Sequence, residues 1–484
     1  MPNSTSAIVL RKLCLRTLVF FLPLILLSSR SATGQAQRPL EPQVPLMQLR
    51  LTPINAAARP ASMGGAFIGV ADDATAAAIN PAGLSFLLRP EISLSQAGGW
   101  YTRELTAGKT EEIDETRSQA EFIFDQTLVN IVYPQWGFTF ALFRQVVSRS
   151  ESDLSRQQFL TIAPARRLTL REALGASGNF PGVHSEFSSE VIHNGLVIAK
   201  ALRRRYRLGF SLRNTQLKIQ LHERHYFDPR LWLQSNLKEG TFAIGANRIE
   251  GLYRLYDLSA NELKLSWELG ILMELHPNLT LGAVYQNQPA YELQARITLP
   301  AYSLPDSTPN DSRNDEIRFV PREEIVPFTL NLPDHLGIGL GWKANPKTLL
   351  AADAVLYFTR SLFQGLEMNL PQDDMFTSKG NYTDTDGRSD FETRNVLSFH
   401  AGIEHTFIER KIIVPMRLGF YTEPNFGLRP ISSDGNLQRE YPEIATKPHV
   451  TGGFGIIFKH VRFEGSVDYS SALFEAIGTA VVSF

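Results

Sequence analysis

Apolar and polar residues alternate along most of the chain, and this pattern restricts the folds that the chain can adopt. In residues 461–469 (VRFEGSVDY) the odd positions are apolar or glycine, and the even positions are polar or charged. Residues 263–271 and 336–343 repeat the pattern. A period of two residues is typical of a β-strand with one apolar and one polar face. Membrane β-barrels and soluble β-sandwiches both contain such strands, so the pattern alone predicts an all-β protein.

The connections between these strands are of two kinds, very short turns and long polar segments. Short turns join strands in pairs at residues 134–136, 202–205, 276–278, 345–347, 409–411 and 459–460. Long polar segments separate the pairs, at about 148–187, 221–262, 296–334, 361–396 and 421–449. With one further strand at 91–100 and another at 475–484, the count is about 14, and both ends lie on the short-turn side. This topology predicts a transmembrane antiparallel β-barrel over residues 91–484 with long extracellular loops.

The composition fits such a barrel, although it is close to that of a soluble protein. Hydrophobic residues make up 43% of the chain and charged residues 20%, and only every second residue of a membrane strand needs to be apolar. The chain ends in Phe484, as is typical of bacterial outer-membrane barrels. The alternative reading of this last segment is an edge strand in the core of a soluble β-protein.

Residues 1–36 are predicted to be a secretory signal peptide. Arg11, Lys12 and Arg16 precede an apolar run at 18–27, and small residues follow, with a cleavage position after Gly34 or Ala36. The apolar run is about half as long as the ~20 residues that a membrane-spanning helix needs. The leader carries four Arg or Lys and no Asp or Glu, so the charge of the mature chain is 44 minus 49, or -5. A nucleic-acid partner is therefore not expected.

The sequence offers no strong signal for catalysis, a cofactor or a metal. The only cysteine, Cys14, lies in the predicted leader, so cysteine-based catalytic and zinc sites are excluded from the mature chain. His222 and His225 are too few for a convincing metal site, and residues 382–393 lack the carboxylates of a calcium loop at both ends. We expect that the protein is not an enzyme and that it has no cofactor and no metal.

Strand parity predicts which side chains point into the barrel. If Leu336, Ile338, Leu340 and Trp342 face lipid, then Gly337, Gly339 and Gly341 face inward and leave room for whatever fills the lumen. The same parity turns charged residues of both signs inward: Arg207, Arg213, Lys264, Glu268, Asp353, His400, Glu404, Arg462, Glu464 and Asp468. The predicted lumen is polar and nearly balanced in charge.

Residues 37–90, before the first strand, are predicted to form a small hatch inside the lumen. The stretch from Arg59 to Leu84 is rich in small residues and does not alternate. Asp72 or Asp73 can cap a short helix that runs to Ile79, and Asn80-Pro81 then ends it. Wall side chains alone cannot fill a barrel of about 14 strands. A separate segment is needed to close it, and this one is available.

Several blocks of the chain resemble one family of outer-membrane proteins. They are Gly64-Gly65, 71–74 (ADDA), 80–83 (NPAG), 89–90 (RP), 279–285 (LTLGAVY) and 331–334 (NLPD). Together they resemble the FadL-type family, which transports long-chain fatty acids and aromatic hydrocarbons. The resemblance implies a 14-stranded barrel with an N-terminal hatch, in agreement with the count from the turns.

The resemblance also implies roles for the hatch residues. Asn80, Pro81, Ala82 and Gly83, with Asp72, Asp73, Gly64 and Gly65, would hold the hatch in the wall or move it when a ligand binds. The alternative for the Asn-Pro pair is a purely structural turn. In this family a kink in the third strand opens a lateral exit, but the third strand here, residues 138–147, has no interior glycine. We therefore do not expect a wall gap at that place.

One long loop is unusually apolar and is the candidate landing site for a hydrophobic ligand. The candidate ligand-binding residues are Trp232, Leu233, Phe242, Ile244, Arg248 and Arg254, of which the two arginines could hold a carboxylate. The alternative is that the loop packs on itself over the barrel mouth.

The sequence thus predicts a monomeric barrel in the outer membrane of a Gram-negative-type bacterium, in contact with lipid and lipopolysaccharide. Its expected ligand is a hydrophobic small molecule, a long-chain fatty acid or a hydrocarbon, which would cross by passive diffusion through the plugged barrel. Related barrels with the same hatch signature act in protein secretion, so a scaffold that binds exported proteins is the alternative. A third hypothesis, a lipid-acting enzyme, would need a serine beside His400 and Glu404.

Overall fold

Fourteen long strands form one antiparallel sheet in the computed structural model. The model describes residues 55–106, 116–155, 168–169, 183–203, 205–226, 241–242, 253–299, 302–303, 318–319, 322–360, 362–364, 391–409, 412–424, 426, 429–430 and 446–484. The predicted signal peptide and the predicted hatch residues 37–54 lie outside these ranges.

The barrel strands follow one another along the chain and pair in that order. They are β1 (Glu91–Thr106), β2 (Thr116–Gln135), β3 (Phe138–Ser155), β4 (Val183–Leu202), β5 (Tyr206–Tyr226), β6 (Tyr253–His276), β7 (Leu279–Asn287 and Ala290–Leu299), β8 (Arg322–Asn331 and Asp334–Asn345), β9 (Thr348–Phe358), β10 (Val396–Glu409), β11 (Ile412–Thr422), β12 (Pro448–Phe458), β13 (Val461–Tyr469) and β14 (Leu473–Ser483). A further two-residue strand, Phe363–Gln364, pairs with β8. Three two-residue pairs join outer segments: Leu168–Thr169 with Thr241–Phe242, Tyr302–Ser303 with Arg318–Phe319, and Phe391–Glu392 with Arg429–Pro430.

The first and last strands close the sheet into a barrel. β1 pairs with β2 on one side and with β14 on the other, where Glu91 lies opposite Ser483. Closure pairs the first strand with the last, so neither is left as an open edge of the sheet. The predicted all-β, 14-stranded antiparallel barrel is confirmed.

Two neighbouring strands are interrupted by prolines. β7 breaks at Gln288 and Pro289, and β8 breaks at Leu332 and Pro333. Proline has no backbone N–H to donate to the ladder. The two breaks lie side by side, because Ala290 pairs with Asn331 across the strands and Leu332 N donates to Pro289 O at 3.2 Å.

All six predicted short turns connect consecutive strands. Trp136, Arg203 and Lys459 have positive φ values of 53°, 58° and 53°, as tight hairpins require. The long segments are shorter than predicted: β5 continues to Tyr226 and β6 begins at Tyr253, because polar strand ends also alternate. On the same side, residues 470–472 form a short connection between β13 and β14, which is not among the five predicted long segments.

The two faces of the wall follow the predicted parity. Leu336, Ile338, Leu340 and Trp342 are exposed on the outside of the barrel, and large exposed apolar side chains recur on the outward positions of the other strands. Such a surface suits contact with lipid. No helix in the described part of the chain is long and apolar enough to cross a membrane.

Residues 55–90, called the hatch segment below, lie inside the barrel and supply much of its apolar core. They form one α-helix, α1 (Ala58–Ser62), and two 3₁₀ helices, Ala74–Ala78 and Pro81–Phe86. As predicted for Asp72 or Asp73, an aspartate caps the middle helix: Asp73 accepts a hydrogen bond from Thr75 N. Asn80 caps the last helix in the same way, and Pro81 occupies its first turn, where a missing N–H has no cost.

Candidate functional site

Glycines on the inner face of the wall leave room for the hatch segment to lie against the barrel. A Cβ atom built on Gly209 of β5 would overlap Pro81 and Ala82, and one on Gly270 of β6 would overlap Asn80. The same conflict with the hatch segment arises at further inward glycines: Gly282, Gly339, Gly341, Gly402 and Gly419. Small residues therefore allow the two backbones to touch. Gly337, Gly339 and Gly341 face inward as their parity predicted, and Gly339 meets Gly69 of the hatch segment.

Asn80 ties the hatch segment to itself and to the wall. It is fully buried, and its Nδ2 donates to Ile68 O at 2.9 Å and to Ile271 O of β6 at 3.3 Å. Its Oδ1 accepts from Ala82 N at 3.2 Å. Gly83 packs against Ala71 so closely that a Cβ would overlap the carbonyl of that residue. The structure thus brings the NPAG block together against β5 and β6.

Side chains of the wall also hold backbone groups of the hatch segment. Asp353 of β9 accepts from Phe67 N at 2.7 Å and from Ile68 N at 2.8 Å. His400 Nδ1 donates to Gly64 O at 2.7 Å. Gly64 and Gly65 have φ values of 64° and 76°, a left-handed conformation that favours glycine. Parity predicted that Asp353 and His400 face inward, but it could not identify what they bind.

A group of ion pairs, all buried or half-buried except at Asp72, fixes the hatch segment to β10, β11 and β13. Arg59 contacts Asp72 at 2.5 Å, Asp73 at 2.8 Å and Glu404 of β10 at 3.1 Å. Arg417 of β11 joins Glu404 at 2.6 Å to Glu464 at 3.0 Å, and Arg462 of β13 lies 3.4 Å from Asp73. Asp72 and Asp73, which the sequence placed in the hatch, therefore both meet the same arginine.

These charges shift the pKa values of the hatch residues. Burial alone would raise the pKa of Asp73, but Arg462, Arg59 and the hydroxyl of Thr75 outweigh burial and hold this pKa well below its usual range. Burial alone would lower the pKa of Arg59, but Asp72, Glu404 and Asp73 outweigh burial and raise it. Both groups are charged at neutral pH, and each stabilises the other.

A cavity of about 190 Å³ lies between the hatch segment and the wall. One part is apolar, lined by Ile68 and Ile79 of the hatch segment and by Val284, Val355 and Tyr357 of the wall. The other part is polar, lined by Gln145, His193, Arg213, Glu268 and Gln286. The sequence predicted inward positions for Arg213 and Glu268 but missed the other three. Parity extended along β3, β4 and β7 would have found them, because each is a polar residue on the inward face.

The polar part contains a fully buried ion pair between Arg213 of β5 and Glu268 of β6, each with a side chain 1% exposed. Arg213 also donates from Nε to Ser211 Oγ at 3.1 Å and from Nη1 to His193 Nδ1 at 3.4 Å. The charge of Arg213 is therefore matched within the wall.

The cavity lies next to an interruption in the barrel wall between β2 and β3. The described pairing of these two strands ends at Leu128 opposite Gln145. Beyond that point β2 pairs with β1 and β3 pairs with β4, with a register shift between Val146 and Ser148. The lack of an interior glycine in the third strand argues against a wall gap at this place, yet the ladder between β2 and β3 ends here; the register shift lies on the other edge of β3, where it pairs with β4. Three residues at the break, Gln145, Val147 and Ser148, line the cavity.

A salt bridge crosses this interruption where the backbone ladder does not. Arg149 of β3 contacts Asp125 of β2 at 2.5 Å and Glu151 of its own strand at 2.5 Å. We call residues 116–127 of β2 and 146–155 of β3, which lie beyond the last paired residues Leu128 and Gln145, the β2–β3 seam.

Most of the predicted landing loop lies outside the described residues. This applies to Trp232, Leu233, Ile244 and Arg248, and to the side chains of Phe242 and Arg254, whose backbones lie in the short strand Thr241–Phe242 and at the start of β6. His222 has Asp257 at 4.0 Å, and the side chain of His225 and residues 382–390 also lie outside.

The serine, histidine and carboxylate that a lipid-acting enzyme would need are not arranged as a catalytic triad around His400. Ser398 Oγ lies 3.0 Å from His400 Nε2, but Nδ1 faces the Gly64 carbonyl, and Glu404 is bound to Arg59 and Arg417. A catalytic histidine of this kind needs a carboxylate at Nδ1.

Comparisons with known proteins identify solved structures that share the fold of this chain. No protein-family model matches the chain, and no curated protein matches it. Among solved structures, the toluene transporter TbuX of Ralstonia pickettii aligns with a TM-score of 0.54 at 14% identity, over 90% of this chain and 99% of that one. The toluene transporter TodX of Pseudomonas putida aligns with a TM-score of 0.52 at 14% identity, over 90% and 98%. A FadL homologue of Pseudomonas aeruginosa aligns with a TM-score of 0.54 at 10% identity, over 89% and 98%. The chain therefore has the fold of the FadL-like outer-membrane barrels.

Proposed function

We propose that this protein lets small hydrophobic solutes cross the outer membrane by passive diffusion through the barrel, with the hatch segment as its plug. The observation that carries the proposal is the cavity between the hatch segment and the wall, which meets the β2–β3 seam. The fold shared with two toluene transporters and a FadL homologue supports it.

The size of the cavity favours small solutes over long chains. Its volume is about 190 Å³, and an engineered apolar cavity of about 150 Å³ in another protein binds benzene. A single aromatic ring or a short aliphatic chain fits this volume, whereas an extended long-chain fatty acid exceeds it. Of the solutes expected from the sequence, we propose molecules of the size of a monoaromatic hydrocarbon rather than long-chain fatty acids.

The contacts of the hatch segment favour an exit through the wall. Its backbone touches wall glycines, and buried ion pairs fix it on the side of the short turns. Moving the hatch segment as a whole would separate these charges from their partners, which is costly in a buried site. The β2–β3 seam lacks backbone hydrogen bonds and is bridged by side chains. We propose that solutes leave the cavity there and enter the lipid, without a chemical step.

Uptake of labelled toluene by cells that express the protein tests the function. Val284→Phe fills the apolar part of the cavity, since Val284 is buried against Ile68. Ala283→Phe on the same strand is the matched control, because residue 283 faces the lipid side. We expect uptake to fall several-fold with Val284→Phe and to stay unchanged with Ala283→Phe.

Equal uptake by the wild type, both variants and cells without the barrel would contradict the proposal. Such a result together with a co-purifying exported protein would support the scaffold alternative instead.

A further inference from the structure

We propose that the cavity selects uncharged solutes that carry a hydroxyl group, such as phenols, over plain hydrocarbons and over carboxylates. This inference rests on the proposed function and specifies its substrate class. It follows from the polar part of the cavity, which the passage of toluene alone does not require.

Five side-chain polar atoms at the cavity have no hydrogen-bond partner within the described residues. They are Glu268 Oε1, Gln145 Oε1, Gln286 Nε2, His193 Nε2 and Gln288 Oε1. Glu268, Gln145, Gln286 and His193 are almost completely buried, with 1%, 7%, 4% and 1% of their surface exposed. Buried polar groups in native proteins are almost always paired. The cavity therefore presents both acceptors and a donor to whatever occupies it.

The charges around the cavity disfavour an anion. Among the described lining residues, Arg213 is the only Arg or Lys and Glu268 is the only Asp or Glu, and the two form an ion pair. Arginine can only donate, so the contact from Arg213 Nη1 makes His193 Nδ1 an acceptor, and this imidazole is neutral. A carboxylate in the cavity would meet no unmatched positive charge there, and it would lie near the free oxygen of Glu268.

A hydroxyl group can supply the hydrogen bonds that these unpaired atoms lack. It donates one hydrogen bond and accepts others, so it can serve a carboxylate oxygen and an amide N–H alike, while its apolar body occupies the part lined by Val284, Val355 and Tyr357. A site built to pair a solute hydroxyl discriminates strongly against the analogue without it, because the buried polar atoms of the site then stay unpaired.

Binding of phenol, toluene and benzoate to the purified barrel in detergent tests the proposal by calorimetry. Val284→Phe provides the background from partition into the micelle. We expect phenol to bind at least about tenfold more tightly than toluene or benzoate, as a hydrogen bond to a charged group allows. Toluene or benzoate binding as tightly as phenol would overturn the inference.

Glu268→Gln is the sharpest variant, because it removes the carboxylate acceptor and leaves the charge of Arg213 unmatched. The expected result is a reversal: phenol binds more weakly and benzoate more tightly than in the wild type. Glu190→Gln is the matched control, since Glu190 is paired with Lys218 at 2.9 Å and lies outside the cavity lining. An unchanged order of the three ligands in folded Glu268→Gln would overturn the inference.

If Glu268→Gln does not fold, Gln286→Leu replaces it, because this change removes a donor without altering charge. Phenol affinity is then expected to fall toward that of toluene, and an unchanged phenol affinity would overturn the inference. Failure here is distinct from failure of the proposed function. Toluene uptake with no preference for phenol overturns only the selectivity, whereas loss of specific uptake for all three solutes overturns the function itself.

Discussion

Arg59 links the hatch segment to the barrel wall through a cluster of charged side chains. It is buried and contacts three carboxylates, two from its own segment and one from β10. Without Arg59, Glu404 and Asp73 would each keep only one arginine partner, Arg417 and Arg462 respectively. The sequence predicts Asp72, Asp73 and Glu404 inside the barrel but does not identify Arg59 as their common partner, because residues 59 and 404 meet only after the barrel has closed.

Arg59→Ala is expected to lower the free energy that holds the hatch segment in the barrel by about 1 to 3 kcal/mol, because Glu404 and Asp73 lose one of two arginine partners. Limited proteolysis of the folded barrel measures it, with faster cleavage between residues 55 and 90 as the expected result. Arg394→Ala is the control, because Arg394 and Glu392 form an exposed pair of the kind that contributes about 0 to 1 kcal/mol. Equal cleavage of both variants would show that the buried pairs do not hold the hatch segment.

The attachment of the hatch segment depends on pH, because Asp73 forms its ion pairs only when its carboxyl group is ionised. Its pKa is lowered in the folded state, so its stabilising effect is complete above the ordinary Asp pKa of about 3.9 and decreases as the pH falls below that value. We expect cleavage of the hatch segment to rise on acidification below about pH 4 and to depend less on pH in Asp73→Asn. An identical pH profile for wild type and variant would contradict this assignment.

The wall glycines lead to a third prediction at the scale of the residue. Gly209→Ala places a methyl group where the hatch backbone lies, so the hatch segment must shift. Gly478→Ala has open space around the new atom and serves as the control. Labelling of a cysteine introduced at Ser85 in the hatch segment should be faster with Gly209→Ala and unchanged with Gly478→Ala. Unchanged labelling in both would mean that close contact at Gly209 does not position the hatch segment.

At the scale of the element, the sequence predicts the strands well and their interruptions poorly. All six turns and the inward face of β8 follow from alternation and turn residues, which are local properties. The bulge after Val146 and the break between β2 and β3 depend on which neighbours each strand finds, and the sequence of one strand does not contain that information. The same reason applies to the cavity: parity predicts Arg213 and Glu268 inward, but the free polar atoms result from geometry.

Cross-linking across the β2–β3 seam tests its role as an exit. Asp125→Cys with Arg149→Cys, joined by a short bismaleimide, should lower toluene uptake several-fold, because the two strands can no longer separate there. Glu190→Cys with Lys218→Cys is the matched control across an intact ladder, since residues 190 and 218 are paired partners in β4 and β5. Equal effects of the two cross-links would contradict a lateral exit at the seam.

At the scale of the whole molecule, one closed sheet explains why a long chain of average composition shows no boundary between domains. The apolar residues are divided between the outer wall and the interior, where the hatch segment supplies much of the core. On the inner face of the wall, glycines leave room for the hatch segment and charged side chains form ion pairs with it. A cavity remains between the hatch segment and the wall. The central claim is that this cavity is where a solute stays during passage.

A crystal structure of the barrel soaked with bromobenzene tests that claim most directly, because bromine gives an anomalous signal. We predict a peak inside the barrel in the space lined by Ile68, Val284 and Tyr357, and its loss in Val284→Phe. An equally ordered structure with bromine only on the outer wall, or an unchanged peak in the variant, would contradict the account.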